Sequence, residues 1–209
     1  MILLIGSQKG GCGKSTIAIN IAAYLADAGK DVVLVDADRQ QSSANWVKDR
    51  DETSLNKVHC VQRYDDVKTT LKDLYTRYEY IVVDVAGHDS KELRTAMLAA
   101  DKIIVPFRPS QFDLDTLPHL TEVIEQAQSF NEKLKAYGLL TLAPTHPTVS
   151  EVQQANEYLS DFPTFIALQS IIHDRKIYRD SISEGKGVIE SNNLKARDEF
   201  NALMKEILK

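Results

Sequence analysis

A glycine-rich loop near the beginning of the chain has the residues needed to bind phosphate groups. It lies between the apolar run Ile2–Ile5 and a segment with helical periodicity, and it reads Lys9-Gly10-Gly11-Cys12-Gly13-Lys14-Ser15-Thr16. Glycines let backbone N–H groups come close to phosphate oxygens, and the N-terminus of the following helix adds partial positive charge. In such a strand–loop–helix unit, Lys14 reaches the β- and γ-phosphates of a nucleotide and the Ser15 hydroxyl is a ligand of Mg²⁺. The pattern therefore predicts a nucleotide-phosphate site, and the alternative is a glycine-rich turn that carries surface lysines.

Aspartates that follow buried strands are candidates for the same site. Asp31–Asp36 and Tyr80–Asp84 are apolar runs that end in a carboxylate, and Asp38 comes two residues after the first run. Carboxylates just past the carboxyl ends of parallel strands point into the ligand crevice of a doubly wound sheet. Asp84 is accordingly predicted to hold Mg²⁺, directly or through a water molecule. Asp38 is predicted to face the phosphates, and the alternative is that it caps the next helix.

The loop resembles the deviant P-loop of the ParA/MinD group of ATPases. The general pattern G-x-x-x-x-G-K-[ST] needs glycine at position 8, where the chain has Gln8, whereas a second lysine at the head of the loop, here Lys9, is typical of that group. The resemblance implies that Lys9 crosses a dimer interface to the nucleotide of a partner subunit. Residues 36–40 likewise resemble the switch-I pattern Asp-x-Asp-x-Gln, with Arg39 where the group often has proline. The catalytic residues that the resemblance implies are Lys9, Lys14 and Asp38, the last positioning the attacking water.

The resemblance extends to loops that follow two later strands. The Ala86-Gly87 pair after Asp84 resembles the form found in the small, ParF-like plasmid subgroup, in a loop that senses the γ-phosphate. Two prolines make 106–110 a rigid loop, which resembles the loop near the adenine and the dimer interface in the group; the alternative is a plain connection. The ATP-binding residues that the resemblance implies are Lys9, Gly10, Gly11, Cys12, Gly13, Lys14, Ser15, Thr16 and Pro109. It implies that Mg²⁺ is held by Ser15 and, through a water molecule, by Asp84.

A basic segment lies near the end of the chain. Residues 171–197 hold six basic side chains against four acidic ones, although the whole chain has a net charge of −5. Arg175, Lys176 and Arg179 lie within four positions of one another and are predicted to share a helix face, with Lys186 following. This segment resembles the region that binds DNA without sequence preference in the ParA group, which implies that these four residues bind DNA. The alternative is a solvated helix face.

The order of apolar runs predicts the fold class. Strand-like and helix-like segments alternate along all 209 residues without a repeat or linker. We therefore predict a single-domain α/β P-loop NTPase over 1–209, with a mostly parallel, doubly wound sheet flanked by helices. Because the first strand begins at residue 2, no N-terminal helix-turn-helix domain is expected. The cysteines, Cys12 and Cys60, do not have the spacing of a metal site or a disulfide framework.

Periodicity also predicts individual elements. Short strands are predicted over Val58–Val61 and Thr164–Ala167, the second at a sheet edge, and a long helix over Leu114–Phe130. A turn-rich segment is predicted over 143–148. The last helix is predicted to dock onto the domain because it has apolar residues at core spacing, namely Phe200, Leu203, Met204, Ile207 and Leu208. A membrane-surface helix would be more basic.

The family resemblance implies a function. It implies an Mg²⁺-dependent ATPase that dimerises on ATP, binds DNA non-specifically and drives plasmid or chromosome partition with a centromere-binding partner protein. Such a protein is expected in the cytoplasm, associated with the nucleoid and without stable membrane association, and higher-order assembly stays open. Two alternatives remain. One is a MinD-like regulator that positions a protein assembly on membrane or nucleoid, and the other is a metabolic ATP-dependent ligase.

Overall fold

The computed structural model describes residues 1–146 and 149–209, which alternate between strand and helix. The strands in these ranges are β1 (Ile2–Ile5), β2 (Val32–Ala37), β3 (His59–Gln62), β4 (Tyr80–Val85), β5 (Lys102–Phe107), β6 (Lys135–Ala143) and β7 (Phe165–His173). They form one sheet in the order β3-β2-β4-β1-β5-β6-β7, and all neighbouring strands run parallel. The sheet is therefore wholly parallel, where the sequence predicted a mostly parallel one.

Helices cover both faces of this sheet. Over the same described ranges they are α1 (Lys14–Asp27), α2 (Ser42–Asp51), α3 (Lys68–Tyr75), α4 (Lys91–Met97), α5 (Gln111–Leu114), α6 (Leu117–Gln128), α7 (Val149–Ser160), α8 (Lys176–Ser183) and α9 (Leu194–Ile207), with a 3₁₀ turn at Val188–Glu190. One apolar core contains residues of α3, α4, α6 and α7, and a second contains residues of α1, α2, α8 and α9. This is the doubly wound α/β architecture that the sequence predicted.

The central strands are apolar because both of their faces are covered. Every residue of β1 and β2 is buried, as expected for strands inside a parallel sheet. The carboxyl ends of three neighbouring strands lie side by side, since Asp84 pairs with Ile5 on one side and with Asp36 on the other. This edge of the sheet brings together the glycine-rich loop after β1 and the acidic residues at the ends of β2 and β4.

Several element bounds differ from those predicted. The segment predicted as one helix over Leu114–Phe130 instead contains the end of α5 and all of α6. Pro118 lies in the first turn of α6, and in a continuous helix its ring would clash with the carbonyl group of Leu114. β3 lies one residue later than predicted, and β7 begins one residue later but extends to His173. β7 is at the edge of the sheet, as predicted. Part of the turn predicted over 143–148 lies outside the described residues.

The last helix docks onto the sheet. Four of its predicted core residues are fully buried, namely Phe200, Leu203, Met204 and Ile207, and Leu208 packs against the same core. Lys102 Nζ donates to the Ile207 carbonyl oxygen over 2.6 Å, which places a positive charge at the C-terminal end of the helix. The docking prediction is therefore confirmed. Among the helices in the described ranges, none combines the length and the apolar character that crossing a membrane requires.

A buried ion pair joins α2 to the segment that precedes α9. The guanidinium of Arg50 lies 2.7 Å from the Glu190 carboxylate, and both side chains are almost completely buried. Arg50 also donates to the carbonyl oxygens of Asn56 and Gly185, and Trp46 Nε1 donates to the carbonyl oxygen of Lys186. A Cβ atom at Gly185 would lie 2.6 Å from the Arg50 backbone nitrogen, and its φ is +67°. The contact between α2 and 185–190, the α2 junction, therefore requires glycine at this position.

Candidate nucleotide-binding site

The glycine-rich loop connects β1 to α1 and forms the floor of a cavity. Gly11 and Gly13 have φ values of +76° and +89°, in the left-handed region that glycine adopts without strain. The cavity has a volume of about 260 Å³. Its walls include Asp38 and Gln40 after β2, Gly87 after β4, and the loop residues Gly10, Gly11, Gly13, Lys14, Ser15 and Thr16. The structure thus brings together the segments in which the sequence placed phosphate, metal and water chemistry.

Lys14 has its charge inside the loop. Its Nζ atom donates to the Lys9 carbonyl oxygen over 2.8 Å, and the side chain is only 7 % exposed. Gly87 approaches this group so closely that an added Cβ would lie 2.6 Å from Lys14 Nζ and 2.8 Å from the Lys9 carbonyl oxygen. Gly87 therefore leaves space for the lysine, a steric requirement that the sequence pattern did not reveal.

Lys9 and Cys12 do not point into the cavity. Lys9 Nζ lies 5.7 Å from the centre of the Phe112 ring, and Lys9 is not one of the residues that line the cavity. The Cys12 side chain is fully buried, with its Sγ atom 3.0 Å from Ser7 Oγ. Any Cys12 contact with a nucleotide would therefore be through its backbone, whereas the Lys9 ammonium group lies beside Phe112.

Asp84 is a buried carboxylate with one unused oxygen. Its Oδ2 atom accepts a hydrogen bond of 2.7 Å from Ser43 Oγ, and its Oδ1 atom has no partner within the described residues. Burial raises the pKa of Asp84 to about 7, and the hydroxyls of Ser43 and Ser15 oppose this rise. Mg²⁺ prefers oxygen ligands, and a cation next to this carboxylate would favour its charged form. Ser15 and Asp84 therefore fit an Mg²⁺ ion.

The carboxylate that caps α2 is Asp36 rather than Asp38. Asp36 Oδ2 accepts from the backbone N–H of Ala44 in the first turn of α2, over 2.7 Å, and its Oδ1 accepts from the Asp38 N–H. Burial raises the pKa of Asp36, while these backbone hydrogen bonds lower it. The Asp38 carboxylate accepts only from the Gln40 N–H among the described groups, and Asp38 lines the cavity. The alternative in which Asp38 serves as the helix cap is therefore wrong.

A second cavity adjoins the first. It has a volume of about 270 Å³ and shares Gly11, Gly13 and Thr16 with the phosphate cavity. Its other walls come from Ile17, from 141–142 at the end of β6, and from 172–175 together with Tyr178 and Arg179. Sequence reasoning missed this pocket because its two sides are distant in the chain and have no motif. Within the described part of the chain, Pro109 lines neither cavity, so the structure does not place it in contact with a bound base.

The four basic residues assigned to DNA do not form one exposed face. Arg175 precedes α8 with an extended backbone, and its side chain is turned inward onto Glu199, with Nε 3.0 Å from Oε1. The predicted shared helix face is therefore wrong for Arg175, because this ion pair fixes its direction. Arg175 and Arg179 line the second cavity, whereas Lys176 and Lys186 lie outside both cavities.

The fold and the site together define the class of protein. A wholly parallel, doubly wound sheet, a glycine loop between β1 and α1, and an aspartate in neighbouring strand β4 identify a P-loop NTPase. The family model of the ATPase MipZ matches residues 1–131, and the chain belongs to this family of ATPases.

Comparisons with individual proteins agree with this assignment. The chain is 30 % identical to the maintenance of carboxysome distribution protein A of Halothiobacillus neapolitanus, over 99 % of this chain and 95 % of that protein. It is 27 % identical to the chromosome partitioning protein ParA of Myxococcus xanthus, over 66 % of this chain and 63 % of that protein. The septum site-determining protein MinD of Pyrococcus horikoshii, in complex with Mg-ADP, has the same fold, with a TM-score of 0.77 at 19 % identity, covering 100 % of this chain and 96 % of that one.

Proposed function

We propose that residues 1–209 form one ParA-like P-loop ATPase domain that hydrolyses ATP with Mg²⁺, dimerises on ATP and drives partition of a plasmid or chromosome. The observation that carries this proposal is the convergence of Lys14, Ser15 and Asp38 around one glycine-lined cavity. The buried Asp84 carboxylate, with its unused oxygen, lies beside the Ser15 hydroxyl. The similarity to ParA and to a carboxysome distribution protein supports it.

In the proposed reaction, water attacks the γ-phosphorus of ATP, the bond to the β–γ bridging oxygen breaks, and ADP and phosphate are released. Lys14 and the backbone N–H groups of the loop stabilise the charge of the phosphoryl group in transfer. Asp38 orients the water, and Lys9 completes the site of the partner subunit. Bound Mg²⁺ would neutralise phosphate charge, and Ser15 and Asp84 are the residues that would hold it.

Replacing Asp38 with alanine tests this assignment. Because Asp38 makes no hydrogen bond to α2, the fold should be unaffected and ATP should still bind. Turnover should fall by about 100-fold, since positioned proton acceptors contribute effects of that order, and the ATP-bound dimer should accumulate. Phosphate release and size-exclusion chromatography with ATP are the measurements, with Asp49→Ala on the exposed side of α2 as the control. Normal turnover in Asp38→Ala would remove Asp38 from the mechanism.

We also propose that the surface carrying Lys176, Arg179 and Lys186 binds DNA without sequence preference. In the free protein each of these cations is paired with a carboxylate of its own chain, Asp180, Asp174 and Glu184 respectively. DNA phosphates must therefore compete with these pairs, so a single surface binds weakly. A dimer presents the surface twice, which makes binding dependent on ATP.

Charge changes on this surface give a matched test. Lys176→Glu with Lys186→Glu should abolish ATP-dependent binding to arbitrary duplex DNA, whereas Asp180→Asn with Glu184→Gln should strengthen it. Arg175 is left unchanged because glutamate there would face Glu199. Mobility shifts with ATP, ADP and no nucleotide, at increasing salt, are the measurements, with ATP-driven dimerisation as the control. Equal binding by both double variants would show that this surface does not contact DNA.

The proposed partner is a centromere-binding protein that speeds hydrolysis, and the proposed location is the cytoplasm, on the nucleoid.

The positioning of a protein assembly is a second candidate function, favoured by the 30 % identity to a carboxysome distribution protein. The two functions differ in the cargo that is mislocalised when the protein is removed. A MinD-like membrane regulator would bind liposomes rather than DNA, and a metabolic ligase would need a small-molecule substrate for turnover.

A further inference from the structure

An exposed phenylalanine stands against the loop that carries Lys9. The side chain of Phe112 is on α5 and is 75 % exposed, and Lys9 Nζ lies 5.7 Å from its ring centre. We propose that Phe112 is an anchor of the ATP-dependent homodimer and that a second copy of this chain covers it. This inference rests on the proposed function, because it assumes the dimer in which Lys9 reaches the partner's nucleotide.

The backbone around Phe112 is held by a compact set of contacts. Asp113 is almost fully buried, and its carboxylate lies 3.1 Å from the Arg108 guanidinium and accepts a hydrogen bond of 2.8 Å from Ser110 Oγ. Pro106 and Pro109 restrict the chain leading into this turn. The exposed ring is therefore presented by an ordered segment, and little conformational entropy is lost when a partner covers it.

The position of the ring indicates which partner covers it. A two-fold interface is isologous, so the same patch of both subunits lies at the contact. Lys9 must pass through that contact to reach the partner's phosphates, and the Phe112 ring lies beside Lys9. When Lys9 extends to the partner's phosphates, the partner must approach the side of the loop on which the Phe112 ring lies. Exposed aromatic residues on ordered backbone are typical anchors of such interfaces.

Phe130 provides a matched control on another part of the molecule. It is 84 % exposed and follows α6, and the next strand along the chain, β6, begins only five residues later. It therefore lies near the amino ends of the strands, whereas the glycine-rich loop and α5 follow the carboxyl ends of β1 and β5. Both rings are mostly exposed to solvent, but only Phe112 is next to Lys9.

The test measures dimerisation of Phe112→Ser, Phe130→Ser and Phe112→Leu by analytical ultracentrifugation with the ATP analogue AMPPNP. Phe112→Ser should raise the dimer Kd by about tenfold or more, as expected for an interface anchor, while monomer affinity for the nucleotide is unchanged. Phe130→Ser should dimerise like the wild type. Phe112→Leu should keep most of the affinity, because leucine retains apolar bulk without the ring.

The outcomes separate this inference from the function on which it rests. A Phe112→Ser variant that dimerises as well as the wild type overturns the anchor and leaves the ATP-dependent dimer intact. If Phe112→Leu is as weak as Phe112→Ser, the contact of the ring with Lys9, rather than burial under a partner, controls the dimer, and the inference is wrong. A wild-type protein that stays monomeric with AMPPNP and with ATP overturns both the dimer and the anchor.

Discussion

Replacing Lys14 with glutamine is expected to reduce ATP turnover by about 100-fold or more. This is the usual effect of removing one positioned donor that stabilises charge in a transition state, here the charge on the phosphoryl group in transfer. The side chain is buried at the edge of the phosphate cavity, and its ammonium group is next to the loop carbonyl of Lys9. The glutamine side chain is one atom shorter and carries no charge, so attraction to the phosphates is lost. Titration with a fluorescent ATP analogue should show a parallel loss of affinity.

The control for this variant is Lys72→Gln, which removes one exposed lysine from α3 and leaves net charge equal in the two proteins. Because Lys14 also stabilises the loop through the Lys9 carbonyl, thermal unfolding of both variants should be recorded. A folded Lys14→Gln protein with wild-type ATP affinity and turnover would remove the phosphate-site assignment for this loop.

Replacing Lys9 with alanine is expected to leave ATP binding by the monomer unchanged and to abolish ATP-dependent dimerisation. The Lys9 side chain lies on Phe112 outside the cavity, whereas its backbone carbonyl, which holds Lys14, is retained in alanine. Turnover should fall by about 1,000-fold if Lys9 serves the partner's site as an arginine finger does in other NTPases. Nucleotide titration, chromatography with ATP and phosphate release give the three values.

Mixing Lys9→Ala with Asp38→Ala tests whether Lys9 acts on the partner subunit. A mixed dimer retains one of the two Lys9 contacts across the interface, so it can form where the Lys9→Ala homodimer does not. Its Lys9→Ala subunit keeps its own Asp38 and receives Lys9 from the other subunit, so one complete site forms. If Lys9 acts within its own subunit, neither site is complete and the mixture stays inactive. Recovery of activity on mixing two inactive variants would therefore support action across the dimer.

Local patterns predicted the fold and the floor of the site. Tyr80–Asp84 and the loop around Gly13 could be read from the sequence because strand burial and glycine spacing are short-range properties. The inward turn of Arg175 could not be predicted, because its partner Glu199 is 24 residues away and on another helix. The cap function of Asp36 was missed for a related reason, since the strand-end pattern does not show which carboxylate meets the first turn of α2.

The α2 junction gives this protein an intrinsic optical signal. Trp46 is the sole tryptophan in the sequence, and it is buried where α2 meets 185–190, with the Arg50 guanidinium 5.1 Å from its ring centre. The other end of α2 contacts Asp36 and Asp84 at the carboxyl ends of β2 and β4. Tryptophan emission from the unlabelled protein therefore comes from a single environment on the helix that borders the site. A shift to longer wavelength on addition of ATP would report that water enters the junction and that α2 has moved.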